Sequence, residues 1–428
     1  MDLRTASATA LAVAGAFAAI GAAPALAANH IKVGNNPSNC PSADFTTIQA
    51  AVNAANPGDD ITVCPGTYQE QVNIPAGKDN IDLESQKPLQ AVIQAPPALT
   101  APKTIVRVNG AHGVSIEKFT IQGPGDGVCD SLEYGVRVDA GGSADIAFNH
   151  ITHIRDNPFG GCQNGVAVQV GRASESSPGS ATVRFNQIDD YQKNGLTVSG
   201  EGSNANVAFN VIKGAGPTST TAQNGVQVSS GADANVTANA ISDNVYSPGT
   251  VTATGVLVFG PVGDVNVSAN VLKANDTGVY AFGTDRFTRV STNKISSSTF
   301  DGITLDTVTQ TLLQNNDSSN NDEGIGVYGS TGAKVDNNDT DDNDTDGLFA
   351  DSGTSGNAFT SNEASGNGNL DCEDTSTGTG TAGTANTWLR NTGDTDSPDG
   401  ICQPPRGHHG GHGHGHGQHH PHYFWGWK

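Results

Sequence analysis

The sequence is short of methionine, aromatic residues and positive charge. Its 428 residues include one Met and 6% aromatic residues, and 21 Lys and Arg stand against 43 Asp and Glu, for a formal net charge of −22. A surface of that charge repels phosphate backbones, which argues against nucleic acid as a partner. It also repels anionic polysaccharides unless a divalent cation or a local basic patch intervenes.

Long apolar runs are missing after residue 27. The N-terminal run "LAVAGAFAAIGAAPALA" ends in Ala25-Leu26-Ala27, a small-x-small pattern typical of signal-peptide cleavage. No later segment reaches the roughly 18 apolar residues that a membrane span needs. We therefore expect a secreted, extracellular protein without a membrane span, whose mature chain begins at Ala28 and is a monomer.

Cysteine is scarce, but its number is even. Six cysteines fit an oxidising compartment and allow fifteen pairings. The pairing of sequence neighbours closes the shortest loops and is the least demanding in entropy. These pairs are Cys40–Cys64, Cys129–Cys162 and Cys372–Cys402. The register of the sequence repeat supports the middle pair.

The sequence does contain a repeat, which is recognised by a recurring glycine and a recurring asparagine. A glycine followed by an apolar residue recurs in steps of 30 and then 22–24 residues: Gly135, Gly165, Gly195, Gly225, Gly255, Gly278, Gly302, Gly324 and Gly347. An asparagine follows 14 or 15 residues later, or 21 in the repeat that contains "RASESSPGS": Asn149, Asn186, Asn210, Asn239, Asn270, Asn293, Asn316, Asn338 and Asn362.

The repeat predicts an all-β solenoid. In short segments such as Leu196-x-Val198, apolar residues occupy every second position, which is typical of strands with one buried face. A period of ~23 residues indicates stacked rungs, and the frame of leucine-rich repeats is absent. We expect the glycine to supply positive φ at one corner. At the opposite corner the asparagine would form a ladder across rungs and adopt the left-handed backbone.

Both ends of the solenoid are expected to be covered. "DFTTIQAAVNAANPG" predicts an amphipathic helix that starts with Asp44 as N-cap, buries Phe45, Ile48, Val52 and Ala55, and shields unpaired strand edges. The last unit, which contains Trp388 and two cysteines, breaks the register and predicts a second cap. The predicted boundaries are 1–27 signal peptide, 28–60 N-terminal segment with capping helix, 61–370 β-helix, 371–406 C-terminal cap and 407–428 disordered His/Gly-rich tail.

Two features resemble a known family. "FTTIQAAVNAANPGDDITVCPGTYQEQVNI" and the "NGVxV…FNxI" rungs are similar to secreted bacterial right-handed parallel β-helix proteins of the pectate-lyase-like superfamily, over roughly residues 31–403. The resemblance implies a right-handed parallel β-helix with an N-terminal capping helix and a disulfide-bounded C-terminal cap. It leaves activity open, because the superfamily contains lyases, hydrolases, esterases and non-enzymes.

The superfamily usually places its sites on the outside of one strand stack, so the resemblance implies that site residues lie at outward positions. One row after the repeating glycines is poor in acids and bases: Arg137, Ala167, Thr197, Gln227, Leu257, Tyr280, Thr304, Gly326 and Phe349. The candidate catalytic residues are Arg137, Asp139, Asp189 and Asp190. The alternatives are that Arg137 is a solvated surface residue and that the Asp189-Asp190 pair only forms a turn.

An aromatic feature predicts sugar binding. Phe148, Phe185 and Phe209 each precede a ladder asparagine, so they should point outward and stack across three rungs. Our hypothesis is a flat platform for sugar rings, with His150 and His153 beside it. The alternative is that inserted loops cover the three rings and form a satellite core.

Metal binding rests on three segments. "DNDTDG", residues 342–347, matches half of an EF-hand loop for Ca2+, but Gly353 stands where the bidentate Glu belongs, so a solvated turn competes with it. A Cu2+ or Ni2+ site is expected at a mature N-terminus Ala28-Asn29-His30. The tail offers imidazoles for Cu2+, Ni2+ or Zn2+ at His408, His409, His412, His414, His416, His419, His420 and His422.

Three functions therefore stay open. The first is a secreted protein that binds, or also cleaves as a lyase or hydrolase, extracellular polysaccharide. The second is a non-catalytic surface or structural solenoid, and the third is a secreted binder of transition metals through its tail. The poor groove chemistry favours binding over catalysis, and the 30-residue repeats favour a recognition site near residues 126–260.

Overall fold

The computed structural model describes residues 28–404, and they form a right-handed parallel β-helix, as predicted. Each turn of the coil gives one strand to each of three sheets, named here sheet A, sheet B and sheet C. One turn runs from Ser143–Ala147 in sheet A through His150–Thr152 in sheet B to Val166–Val170 in sheet C. The next turn begins at Ser180–Arg184, which pairs in parallel with Ser143–Ala147.

The described strands and helices have the following bounds. Sheet A contains His30–Val33, Asp60–Val63, Asp82–Ser85, Val114–Glu117, Ser143–Ala147, Ser180–Arg184, Asn204–Ala208, Asp233–Thr237, Val265–Ser268, Thr288–Ser291, Leu312–Gln314, Lys334–Asp336, Ala358–Thr360 and Thr387–Leu389. Sheet B contains Gly66–Gln69, Ala91–Gln94, Thr120–Gln122, His150–Thr152, Gln187–Asp189, Val211–Thr218, Ala240–Tyr246, Val271–Lys273, Lys294–Ser296, Asp317–Ser319, Asp339–Asp341 and Glu363–Ser365. Sheet C contains Val72–Pro75, Thr104–Asn109, Tyr134–Asp139, Val166–Val170, Asn194–Ser199, Asn224–Ser229, Thr254–Phe259, Thr277–Phe282, Asp301–Asp306, Glu323–Tyr328, Leu348–Ala350, Cys372–Asp374 and Asp396–Ser397. An α-helix spans Ile48–Ala54, and 3-10 helices span Ala173–Glu175 and Thr381–Gly383.

The core is a set of apolar columns inside the coil. In sheet C, Val136, Val168, Leu196, Val226 and Val256 are successive cross-strand partners, and all are fully buried. Branched side chains suit this position because each packs on its counterpart in the next rung. Truncating Leu196 to Ala would cost about 2–5 kcal/mol, because the neighbouring rungs hold the cavity open.

The repeating glycine does not have the role that we predicted. Gly165 has a φ of 80°, but Gly195, like the others of the nine, has no positive φ. A Cβ at Gly195 would lie 2.7 Å from the carbonyl oxygen of Gly225 and 2.6 Å from Cγ2 of Ile212. Glycine is required here because the next rung and the opposite wall of the coil both come too close for a side chain.

The prediction that Ala167 points outward was also wrong. Gln169 is the cross-strand partner of both Arg137 and Thr197, so it occupies the outward position in its rung. Ala167 is fully buried and stands where the other rungs have their packing glycine. In this rung the glycine of the sequence repeat, Gly165, lies in the corner before the strand. The outward position is therefore four residues after the glycine instead of two.

The predicted asparagine ladder is present at the corner between sheets A and B. Asn210 donates from its backbone and side-chain nitrogens to Oδ1 of Asn239, at 2.9 and 3.0 Å, and from Nδ2 to the carbonyl of Val183 at 2.8 Å. The left-handed residue, however, is the one before the ladder asparagine. Phe209 has a φ of 58° and Ala238 one of 55°.

The N-terminal helix covers the open end as expected, but it starts later than predicted. Its N-cap is Thr47, whose hydroxyl accepts from the amide of Ala50 at 3.3 Å. Asp44 instead accepts from the backbone amide of Lys32 in the edge strand. The helix buries Ile48 and other apolar residues against the first rungs.

The C-terminal end is closed by stacked aromatic rings and a disulfide. Trp388 lies parallel to Phe359 with ring centroids 4.0 Å apart, and its indole nitrogen donates to Asp374 at 2.7 Å. The three predicted disulfides are all confirmed: Cys40–Cys64, Cys129–Cys162 and Cys372–Cys402.

Candidate functional site

Arg137 lies on the outer side of sheet C but is fully buried, so its expected exposure as a solvated surface residue was wrong. Its Nη2 lies 2.6 Å from Asp139, which also accepts two hydrogen bonds from Arg107, at 2.9 and 2.8 Å. Glu175 covers the other side of the guanidinium and accepts from both terminal nitrogens. Glu175 belongs to the "RASESSPGS" insertion, which is why the repeat pattern alone did not place it.

These contacts decide what Arg137 can do. Burial lowers the pKa of Arg137, but the hydrogen bond to Glu175 and the charge of Asp139 raise it, and the net pKa is raised. The guanidinium therefore stays charged and has no lone pair with which to remove a proton. In this arrangement Arg137 can bind an anion but cannot act as a base.

Asp189 lies in sheet B, where the structure brings it together with His150. His150 Nε2 is 3.0 Å from Asp189 Oδ2, Gln187 donates to the same oxygen at 2.8 Å, and Thr152 donates to Oδ1. Burial raises the pKa of Asp189, but the hydrogen bonds from His150, Thr152 and Gln187 lower it to about 2. At neutral pH this carboxylate orients the imidazole and has no proton to donate.

Asp190 lies beside this pair and accepts from Nε of Arg155 at 3.1 and 3.0 Å. His153 Nε2 is 3.4 Å from the same carboxylate. Asp190 has a φ of 46°, as expected for the turn residue that was the alternative interpretation. The four candidate catalytic residues thus fall into two groups on different sheets, and no single substrate-sized site contains all of them.

The three phenylalanines point outward and stack, and no loop covers them. Phe148, Phe185 and Phe209 are 44%, 44% and 55% exposed. Their ring centroids are 5.2 Å apart at both steps, with interplanar angles of 6° and 8°. The prediction of an exposed stack across three rungs is therefore confirmed, and the satellite-core alternative was wrong.

The stack is not the flat platform that we predicted. Nearly parallel rings at this distance overlap face to face, so the inner faces cover one another and mainly ring edges meet solvent. The next residue in the same corner row is Ala238, whose side chain is a single methyl group. The outer face of Phe209 is consequently the most accessible ring surface, in agreement with its higher exposure.

An arginine lies along one side of the stack. The guanidinium carbon of Arg184 is 5.7 Å from the ring centre of Phe148 and 5.8 Å from that of Phe185. It is also held by Asp145 through hydrogen bonds of 3.1 and 2.7 Å. Since Asp145 balances its charge, Arg184 orders the base of the stack and adds no free cation.

A shallow groove follows the outer face of sheet A next to this corner. Its larger part has a volume of about 750 Å3 and its smaller part about 310 Å3, and the two share Asn204 and Asn206. The groove also contains Asn235 and Asn266, which are the cross-strand successors of Asn206. Phe209 lies three residues after Asn206, at the corner that follows the strand, and is not among the residues that line the groove; the half-exposed Phe287 is.

Sequence reasoning missed a carboxyl cluster on sheet C. Asp301 is the cross-strand partner of Glu323, and Glu323 accepts from the hydroxyl of Tyr328 at 3.0 Å. Burial raises the pKa of Glu323 well above its usual range, and the charges of Asp301 and Asp346 raise it further. At this rung, the row of outward positions after the repeating glycines contains only Gly326. Because glycine has no side chain, the side chains of Glu323 and Tyr328 can occupy the space beside it.

The metal predictions stay predictions. Within residues 28–404, no group of three or more His, Cys, Asp or Glu is placed to hold a metal ion. The eight tail histidines lie outside the described residues. His30 is exposed and lies 3.0 Å from Asp60, while the amide of Asn29, which the predicted Cu2+ site would deprotonate, donates to Asp59 at 3.0 Å.

Comparisons with known proteins agree with the fold. The family described as "Right handed beta helix region" matches residues 254–393. No match was found among curated proteins. No helix in residues 28–404 is long and apolar enough to cross a membrane.

Two solved structures illustrate the likeness. The A-module of a mannuronan C-5 epimerase of Azotobacter vinelandii is 14% identical over 82% of this chain and 94% of that chain, with a TM-score of 0.51. The Dettilon tailspike protein is 14% identical over 84% of this chain and 68% of that chain, with a TM-score of 0.60. At these identities the likeness establishes the right-handed parallel β-helix fold and nothing further.

Proposed function

We propose that the protein binds an extracellular polysaccharide along the groove of sheet A. The observation that carries this proposal is the row of Asn206, Asn235 and Asn266, which are successive cross-strand partners inside the groove. Strands of one sheet are about 4.8 Å apart, close to the length of one sugar residue in an extended chain. Each amide can therefore donate to and accept from the hydroxyls of a successive sugar.

Phe209 supplies the apolar contact that sugar binding usually needs. It is 55% exposed at the corner that follows the Asn206 strand, and a pyranose presents an apolar C–H face that fits an aromatic ring. Phe185 is less available, because it is stacked between Phe148 and Phe209 and is less exposed than Phe209. The contribution of the stack should therefore come from its last ring.

The charge of the groove favours a neutral glycan. Asp233 and Asp264 line it together with one cationic residue, Arg289, and the whole chain has a net charge of −22. A solved neighbour of the same fold is named for its action on mannuronan, which supports a polysaccharide as the ligand class. The groove of this chain lacks the excess positive charge that an acidic polymer would require.

Affinity electrophoresis in gels containing xylan, polygalacturonate or alginate tests the proposal. We expect xylan to retard the protein most, and N206A/N235A/N266A to lose most of that retardation. The matched control K334A/T360A changes outward residues of the same sheet away from the groove. Phe209→Ala should weaken retardation more than Phe185→Ala does. Equal migration of the wild type in all gels would refute the proposal.

We propose binding without bond cleavage. The candidate catalytic residues lie on two different sheets, and the pKa of about 2 for Asp189 leaves it without a proton for a leaving group. Incubation with the same three polysaccharides, with and without Ca2+, should yield neither reducing ends nor unsaturated products. Either product, absent from a heat-denatured control, would contradict this assignment.

Secretion belongs to the same proposal. Three disulfides in residues 28–404 fit an oxidising compartment, and a polysaccharide of this kind lies outside the cell. N-terminal sequencing of protein recovered from culture medium should read Ala-Asn-His, starting at Ala28. Recovery of the full-length chain from the cytoplasm alone would contradict secretion.

A further inference from the structure

The outer face of sheet B carries an exposed apolar stripe. Val211, Ala240 and Val271 are successive cross-strand partners, and together they form this apolar stripe. Val211 is 54% and Val271 51% exposed, and Ala240 is exposed as well. Apolar side chains in adjacent rungs make one continuous surface, and residues 28–404 leave it uncovered.

The same column of outward residues becomes acidic toward the C-terminal end of the coil. After Lys294 the successive cross-strand partners are Asp317, Asp339 and Glu363, which form an acidic column. Lys294 pairs with Asp317 at 2.7 Å, but within residues 28–404 neither Asp339 nor Glu363 forms an ion pair. Burial and the neighbouring carboxylates, chiefly that of Asp341, raise the pKa of Asp339 to about 7. The end of the column therefore has an excess of acceptors and negative charge.

The last residues that the structure describes lie at the end of this column. Thr392 bridges to Glu363 and Gln403 bridges to Thr392, so they continue sheet B by two more rungs. Residues 405–428 therefore start next to the acidic column. They include Arg406, eight His and Lys428 and no Asp or Glu, and residues 423–427 read YFWGW. Their charge and hydrogen-bond donors complement the acidic column, and their aromatic residues complement the apolar stripe.

The length of this segment matches the distance to the apolar stripe. Six strand steps lead from Gln403 to Val271, which at the strand spacing of a sheet is about 29 Å. Tyr423 follows Gln403 by 20 residues, and a Gly-rich chain of that length has an r.m.s. end-to-end distance of about 25 Å. The effective concentration of a tethered group is greatest when the tether length matches the span.

We infer that residues 405–428 dock on the outer face of their own sheet B, with the histidines along the acidic column and residues 423–427 on the apolar stripe. Each imidazole donates through at least one ring nitrogen, so the alternating Gly-His segment can bind the carboxylates of successive rungs. Lys213 and Lys273 lie two residues after Val211 and Val271 and are exposed, so they can contact the faces of the docked rings. This surface differs from the groove of sheet A in its sheet and in its ligand, which is a segment of the protein itself.

Val211→Asn/Val271→Asn tests the inference, because it removes the apolar stripe without a change in charge. We expect chymotrypsin to cleave the full-length variant after residues 423–427 about tenfold faster than the wild type, since the loss of one buried aromatic contact changes a docking equilibrium by about this factor. Mass spectrometry identifies the shortened chains. Leu389→Asn, which removes a side chain that is 50% exposed on sheet A, should be cleaved at the wild-type rate.

The acidic column is tested separately with Asp339→Asn/Glu363→Gln. We expect cleavage after residues 423–427 to be about threefold faster than in the wild type, the effect of a lost exposed charge interaction. Glu201→Gln/Asp285→Asn makes the same charge change at exposed positions elsewhere and should be cleaved at the wild-type rate.

The inference is overturned if either variant is cleaved no faster than its matched control. It is also overturned if protection of the wild type increases with protein concentration, because the segment would then bind a second copy of the chain. Xylan retardation by the groove is measured independently, so either proposal can fail while the other stands.

Discussion

Adjacent residues have opposite tasks at the corner between sheets A and B. The ladder asparagine, such as Asn210, points inward and satisfies buried backbone groups, while the residue before it takes the left-handed conformation and points outward. The asparagines were predictable because one residue type recurs at one spacing. The left-handed position was not, because Phe209, Ala238 and Thr292 all occupy it and share no side-chain property.

The ladder makes a quantitative prediction about Asn210. Replacing it with Ala removes the acceptor for two nitrogens of Asn186, at 3.0 Å each; the buried backbone amide loses its partner, while Nδ2 keeps the carbonyls of Ile146 and Arg184. We expect the free energy of unfolding to fall by about 2–3 kcal/mol, measured by urea denaturation. Asn53→Ala, on the exposed side of the helix, should change it by less than about 0.5 kcal/mol. Similar values for both variants would show that the ladder contributes little.

The carboxyl cluster of sheet C makes stability depend on pH. Burial raises the pKa of Asp346 to about 7, the charge of Glu373 adds to this effect, and hydrogen bonds from Leu370 and Asn369 oppose it. The ordinary value for Asp is 3.8, so between about pH 4 and pH 7 the folded state holds more protons than the unfolded state. The stabilisation is therefore complete below about pH 4 and is lost as the pH rises through 7.

Asp346→Asn removes this dependence, because Asn is neutral and keeps an oxygen for Leu370 and Asn369. We expect the melting temperature of the variant to exceed that of the wild type at pH 8 and to match it at pH 4. Asp285→Asn, at an exposed position, should leave the pH profile unchanged. A variant that is less stable than the wild type at pH 8 would contradict the raised pKa of Asp346.

Whole elements were predicted where a fixed spacing defines them. A second ladder, between sheets B and C, was missed although its asparagines follow those of the first by five residues: Asn244, Asn275, Asn321, Asn343 and Asn367. Ser298 interrupts it in one rung.

The start of the helix was predicted too early for another reason. Glu70, distant in sequence, accepts from the amides of Ile48 and Gln49 and so fixes the first turn.

The helix protects the N-terminal edge of the coil, which a substitution at Val52 can test. Val52 is fully buried against the first rungs, so Val52→Asp places a charge in the core and should detach the helix. Unpaired strand edges associate, and we expect oligomers in size-exclusion chromatography with light scattering. Asn53→Asp introduces the same group on the exposed face and should remain as the wild type. Monomeric Val52→Asp at the same concentration would show that the helix is dispensable as a cover.

At the scale of the whole molecule, the fold was predictable and the sites were not. Inward residues repeat because every rung must fill the same cross-section, and this repetition identifies a solenoid. Outward residues are not restricted in this way, so their surroundings cannot be read from the repeat. Arg137 was therefore expected at the surface, but the loop that carries Glu175 covers it. The groove of sheet A likewise depends on three strands in register, which lie about thirty residues apart along the chain.

The most direct test of polysaccharide binding is a crystal structure of the protein with xylohexaose. Successive sugars should lie against Asn206, Asn235 and Asn266, with one pyranose on the outer face of Phe209. An oligosaccharide located on sheet B or sheet C, or an empty groove in crystals saturated with xylohexaose, would contradict the assignment of the groove.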